Sequence, residues 1–196
     1  MSGGESRNER GDIITKNSTM AYSESHGWVT YPSLPDSKSW HCQVTVGSTV
    51  YVIAGNNCYY CRSSSNTVFS LSEKQKEWKK EKSLPVSTFD HACAVLGSKI
   101  YVMGGYGGEG YLSSVYILDT SKPGSSWQSG PQLPEGRGGA LTFVYDNKMY
   151  LLGGHKHSVL TLGPDSKSWT EVARVDAYEK YVSPVPILGK DSLHCS

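Results

Sequence analysis

Phenylalanine is scarce in this chain, with 3 residues against 13 tyrosines and 5 tryptophans in 196. No sign of charge dominates: 19 Lys+Arg face 18 Asp+Glu, for a formal net charge of +1. That balance gives no global pull toward DNA, RNA or an anionic membrane, so neither a nucleic acid nor a membrane is expected as a partner. No apolar run approaches the roughly 18 residues of a membrane-spanning helix. The opening segment MSGGESRNERGD lacks the apolar stretch of a secretory leader. A cytoplasmic location is therefore the expectation. Long charged helical stretches are lacking too. Instead, 21 glycines and 13 tyrosines with only 19% charged residues point to many short strands joined by turns. A hydrophobic content of 37% is enough for a core, which argues against wholesale disorder.

A second cysteine pair is also missing. The five cysteines, Cys42, Cys58, Cys61, Cys93 and Cys195, are an odd number. With no leader they are expected to be reduced thiols rather than a disulfide framework. Cys58 and Cys61 form the one CxxC, and a structural zinc site needs a second pair of ligands. His155 and His157 lie about a hundred residues further on. No metal and no cofactor are expected. Asn17-Ser18-Thr19 fits the glycosylation pattern but, without a leader, reads as a chance match.

What the chain does have is a repeat. Trp28, Trp78 and Trp127 are each followed seven residues later by a Leu-Pro proline: Pro35, Pro85 and Pro134. Fifteen residues beyond each proline stands an apolar residue followed by tyrosine: Val50-Tyr51, Ile100-Tyr101, Met149-Tyr150. A small pair ends each run: Ala54-Gly55, Gly104-Gly105, Gly153-Gly154. The offsets between units are 50 and 49, with no gap. In the second unit, HACAVL (91–96) and KIYVM (99–103) read as strands flanking a Gly97-Ser98 hairpin turn. Val115–Asp119 reads as a third strand, and a fourth opens at Trp127. Four antiparallel strands per ~50 residues is the blade of a β-propeller.

The small pair ending the second strand, Tyr106 after it, the tryptophan opening the fourth strand and their spacing resemble the kelch repeat family. Asp119 matches the family's acidic residue ending strand three, and Arg137 its arginine before strand one. His41 and His91 stand where histidine is also common. The likeness covers residues 28–175, with departures at Ala54 in the small pair and at Lys38 and Thr88 in the arginine position. The resemblance implies an all-β kelch propeller with three complete four-stranded blades and partial strands of a fourth. Ser18–Tyr22 and Trp28–Leu34 read as a third and fourth strand at the N-terminus. Val182–Leu188 with the turn Gly189-Lys190 reads as the start of a further blade. Six blades at this period need about 300 residues, so the ring is expected to be partial, with a small closed ring as the alternative. The propeller domain is placed at 18–196, with repeats at 28–77, 78–126, 127–168 and 169–196. Residues 1–17, polar and without a period, are expected to be disordered.

Most candidate chemistry has a plainer explanation. The glycine-rich YGGEG (106–110) lacks the Lys-Ser/Thr of a phosphate-binding loop and opens no helix. EKQKEWKKEK (73–82) mixes both signs and reads as a solvated hairpin. Recurrence of the tryptophans and of His41 and His91 at one repeat position favours packing. In kelch proteins the loops joining strands four to one and two to three gather on one face and grip short, often acidic peptides. By that resemblance the partner-binding candidates are Arg137, Tyr106, Thr88, Phe89, Ser39, Asn56 and His155. The Arg137 guanidinium suits a carboxylate, so Arg137→Ala is expected to spare stability and abolish capture of an acidic peptide. The function implied is a non-catalytic interaction module, in the manner of substrate receptors of ubiquitin ligases or of scaffolds. Open blade edges leave room for a dimer or a larger parent protein. The alternatives are a kelch enzyme such as a sugar epimerase, using acid/base groups among Glu135, Asp90 and His155, or an incomplete fragment with no independent function. The resemblance favours no enzyme activity.

Overall fold

A computed structural model of the chain describes residues 2–58, 63–108 and 110–175, and the backbone of 186–188 and 193–195. All its regular elements are strands. At the N-terminus β1 (Glu5–Arg7) pairs with β2 (Ile13–Thr15), and β3 (Thr19–Ser23) with β4 (Gly27–Tyr31). Three four-stranded antiparallel sheets follow. The first holds β5 (Cys42–Val46), β6 (Thr49–Ile53), β7 (Val68–Ser72) and β8 (Lys79–Lys80). The second holds β9 (Ala92–Leu96) and β10 (Lys99–Met103), which are followed by a small hairpin of β11 (Tyr106–Gly107) and β12 (Gly110–Tyr111) and then by β13 (Val115–Asp119) and β14 (Gln128–Ser129). The third is β15 (Ala140–Tyr145), β16 (Lys148–Gly153), β17 (Ser158–Leu162) and β18 (Thr170–Arg174). Last, β19 (Pro186–Leu188) pairs with β20 (Leu193–Cys195). The expected turn at 189–190 and residues 182–185 lie outside the described residues.

The sequence pattern explains why each sheet needs neighbours. Successive side chains in a strand point to opposite faces. In β10, Ile100 and Val102 enter one apolar cluster with Ile53, Val68, Leu84 and Trp127, while Tyr101 and Met103 enter another with Leu151, Leu160 and Trp169. The second sheet is thus buried on both faces, which is why KIYVM reads as a continuous apolar run. The cores lie between blades, not within them. The innermost strands β5, β9 and β15 run side by side, and the Thr142 hydroxyl donates to the Cys93 carbonyl at 2.5 Å across one such joint.

Each blade is fastened to the one before it through its tryptophan. The indole N–H donates to the carbonyl four residues past the preceding tryptophan: Trp78 to Pro32 at 2.8 Å, Trp127 to Lys82 at 2.9 Å, Trp169 to Pro131 at 2.9 Å. The small pair makes the second fastening. Gly55 N–H donates to the Thr88 carbonyl at 2.9 Å and Gly105 N–H to the Arg137 carbonyl at 2.7 Å. Gly105 has φ +95°, and a Cβ there would run into Thr88 Oγ1 and the Phe89 carbonyl, so only glycine fits. Ala54 takes φ +54° in the first unit, a left-handed conformation that costs roughly 1–2 kcal/mol for a residue with a Cβ.

Two expectations need correction. The segment expected to be a disordered tail is ordered over residues 2–17: besides β1 and β2, Gly3 and Gly4 take φ +67° and +102°. Gly4 N–H donates to the Lys38 carbonyl at 2.6 Å, just as Gly55 and Gly105 do to their partners. Gly3-Gly4 is therefore one more small pair, and the blade joint it makes orders the segment. The second correction concerns thiols. Cys42 and Cys93 are joined as a disulfide, with Cα atoms 6.2 Å apart, because β5 and β9 bring together residues 51 apart in sequence. Residues 59–61 of the CxxC segment lie outside the described residues.

Candidate functional site

The loops joining blades (Ser39, Trp40; Thr88, Phe89, Asp90; Arg137) meet the loops after β6, β10 and β16 (Asn56; Tyr106, Tyr111; His155). Isolated bridges pair Ser39 with Asn56, Ser65 with Thr88 and Phe89 with Tyr106, so both loop sets share one face, as the resemblance implies.

The arginine position turns out to be a clamp. Lys38 and Arg137 are among the largest fully buried side chains, at 0% and 1% exposure. The Lys38 ammonium donates to Asn57 Oδ1 at 3.0 Å, Ser65 Oγ at 2.8 Å and Thr67 Oγ1 at 2.6 Å. Burial lowers its pKa to about 8, with Asp36 pulling the other way, so it stays charged at neutral pH. Arg137 donates to the Ser158 carbonyl at 2.7 Å and to Ser158 Oγ, and lies 3.8 Å from Glu135 Oε1. Thr88 occupies the same position with a neutral bond to the Gly104 carbonyl at 3.1 Å. In all three units the backbone carbonyl holds the previous blade while the side chain holds the next structure along.

This corrects the expected binding set. Arg137, Thr88, Ser39 and Asn56 are all closed to a partner, and Phe89 is buried. Arg137→Ala should therefore cost about 2–4 kcal/mol, by stripping Ser158 of its buried donors and Glu135 of a nearby cation. An unchanged thermal midpoint would contradict the clamp.

Of the expected residues, Tyr106 and His155 remain partly exposed. They belong to a continuous band of rings. Trp40 packs on Phe89 and Phe89 on Tyr106, each pair with centroids 5.4 Å apart. Tyr106 meets Tyr111 edge-on at 5.4 Å, and Tyr111 stacks on His155 at 3.9 Å. Burial, then the neighbouring Lys156 ammonium, hold His155 below the usual histidine range, so a neutral imidazole faces Tyr111. Trp40 and Tyr111, 45% and 51% exposed, are the most exposed rings of the band among the described residues, and neither was among the expected residues. Trp40 had a signal: it is the one tryptophan of five that does not fall at the repeat position. Trp40 and Asp90 take φ +48° and +56° where the third unit has Gly139 at +66°.

Glu135 holds Lys156 at 2.9 Å, and that bond keeps its carboxyl below the usual range. Among the described residues no group of three His, Cys, Asp or Glu side chains is placed to hold a metal. His41 and His91, each just before an inner strand, are pushed down to about 4 and about 3. Burial is the main cause for each, followed by the Lys38 charge for His41 and by His41 for His91.

Comparison with known proteins agrees with the repeat and the fold. The KLHDC2/KLHL20/DRC7 Kelch-repeats domain matches residues 1–183. The chain belongs to the kelch-repeat family. Kelch-like protein 36 of Rattus norvegicus is 28% identical over 146 residues, covering 72% of this chain and 22% of that protein. Kelch repeat and BTB domain-containing protein 12 of Homo sapiens is 27% identical over 198 residues, covering 87% of this chain and 32% of its own. This kelch chain thus spans about a fifth to a third of those relatives. The solved structure of YjhT superposes with a TM-score of 0.82 at 15% identity, over 98% of this chain and 71% of that one, which shows the fold. The match from residue 1 includes the Gly3-Gly4 joint. No helix among the described residues is long and apolar enough to cross a membrane.

Proposed function

We propose that this kelch chain is a non-catalytic interaction module that binds a partner protein through the ring band on its loop face. The observation that carries this reading is the band itself. Trp40 keeps a large, half-exposed indole at a left-handed backbone position, a strain of the kind found at functional sites. Rigid aromatic rings with polar tips are the groups that dominate protein interfaces. The kelch relatives support the class of function. One of them is named for kelch repeats together with a BTB domain, and that pairing supports a receptor role in ubiquitination within a longer protein.

The test uses peptides selected from a randomised dodecapeptide display library panned on the chain. Trp40→Ala and Tyr111→Ala should each weaken the selected peptides at least tenfold while leaving the melting midpoint within a few degrees. Lys148→Ala, at the exposed start of β16, should change nothing. Peptides indifferent to both ring variants would overturn the assignment.

A further inference from the structure

The loop face was expected to grip acidic peptides through Arg137. Its charges are arranged otherwise. Lys38 and Arg137 are buried and bonded inside the fold, and Lys156 is tied to Glu135. Asp90 is the exception. Its backbone is fully used, with its N–H donating to the Trp40 carbonyl and its carbonyl accepting from Gly139 N–H, both at 2.9 Å. Its carboxylate has no hydrogen bond and no cation among the described residues.

This carboxylate has a specific neighbour. A Cβ built on Gly138 would stand 2.9 Å from Cδ1 and Cε1 of Tyr111 and 3.5 Å from Asp90 Oδ2. The Tyr111 ring therefore packs directly on Gly138, where any Cβ would collide with it, and the Asp90 carboxylate lies against the same glycine, so ring and carboxylate are neighbours. Tyr111 is half exposed, with His155 against it. The pair combines a half-exposed ring with an unpaired carboxylate beside it. A lysine or arginine side chain has the matching form, since its alkyl stem covers apolar surface while its charged head seeks a carboxylate.

We propose that the Asp90 carboxylate and the Tyr111 ring beside it take a lysine or arginine side chain of the partner protein. The proposal rests on the band being the binding face and names what that face selects. The blade joint needs only the backbone of Asp90, so the carboxylate is free to act on a ligand.

The experiment uses the peptides selected above, with affinities measured by fluorescence anisotropy. Asp90→Asn keeps the shape and tolerates the left-handed backbone. The expected peptides carry a recurrent Lys or Arg. Changing that residue to Gln, or Asp90 to Asn, should weaken binding at least tenfold, and the two changes together should cost little more than either alone. Peptides lost on Tyr111→Ala but unchanged by Asp90→Asn, or peptides rich in Asp and Glu, would overturn the proposal and leave the binding face standing. Peptides indifferent to Trp40→Ala and Tyr111→Ala, or no enrichment at all, would overturn both.

Discussion

Lowering the pH from 6.5 to 4.5 should destabilise this protein by about 5 kcal/mol through two histidines alone. His41 and His91 titrate near 6.5 when unfolded, and the fold lowers them to about 4 and about 3. Above pH 6.5 both are neutral in either state and the fold has its full stability. As the pH falls below 6.5, the unfolded chain takes up two protons that the folded chain refuses. Each histidine then costs about 1.4 kcal/mol per pH unit until its folded value is reached. The physical reason lies just before the inner strands, where both histidines sit. His91 is buried, and neither ring nitrogen has a hydrogen-bond partner among the described residues; the Ile53 carbonyl, outside bonding geometry, opposes the shift only in part. A charge there has no acceptor, and a second charge on His41 would repel it. For a domain with a typical 5–15 kcal/mol of stability, this brings unfolding near pH 4.5 within reach. Urea midpoints at pH 7.0, 5.5 and 4.5 measure it. A midpoint as high at pH 4.5 as at 7.0 would show that the histidines are solvated or paired. The variant His91→Leu should flatten the slope by about half.

Trp127→Ala should cost about 3–5 kcal/mol, whereas Trp28→Ala should cost about 0.5 kcal/mol or less. The two residues hold the same repeat position but differ in surroundings. Trp127 is 7% exposed, packs with Ile53, Leu84 and Leu118, and donates to the Lys82 carbonyl. Trp28 is 59% exposed and meets Tyr22 at 5.5 Å. Truncating Trp127 opens a cavity between two blades, which close packing cannot collapse. Trp127→Phe keeps most of the ring and loses the indole bond, at about 1 kcal/mol for the bond itself. Denaturant titration of the three variants separates these contributions. Equal losses for Trp28→Ala and Trp127→Ala would mean that burial between blades does not set the value of this residue.

The blade was legible because its determinants repeat. Tryptophan, proline, tyrosine and the small pair recur at fixed offsets, and the alternation of β10 between two cores follows from the strand period. The N-terminal joint was missed because Gly3-Gly4 lacks the preceding apolar-Tyr strand that marks the other units. Its signal was still present, 51 residues before Gly55. The site was less legible. Arg137 reads as a surface cation because a sequence does not show which way a loop side chain turns. Here it turns inward, toward Ser158. Lys38 does the same work in another unit with different chemistry, so residue identity at this position hides a shared role. Trp40 and Tyr111 come from different loops on different blades, and the chain of ring contacts joining them exists only once the blades are packed. Asp90 reads in the sequence as a candidate acid or base, but its meaning as an unpaired carboxylate depends on Tyr111 and Gly138 beside it.

A crystal structure of the chain with a selected peptide bound tests the central claim most directly. The predicted result is a peptide lying across the loop face, in contact with the rings of Trp40 and Tyr111, with Arg137 still buried against Ser158. A peptide seated along the outer strands or at the turns between β9 and β10 or β15 and β16, with the ring band bare, would contradict it.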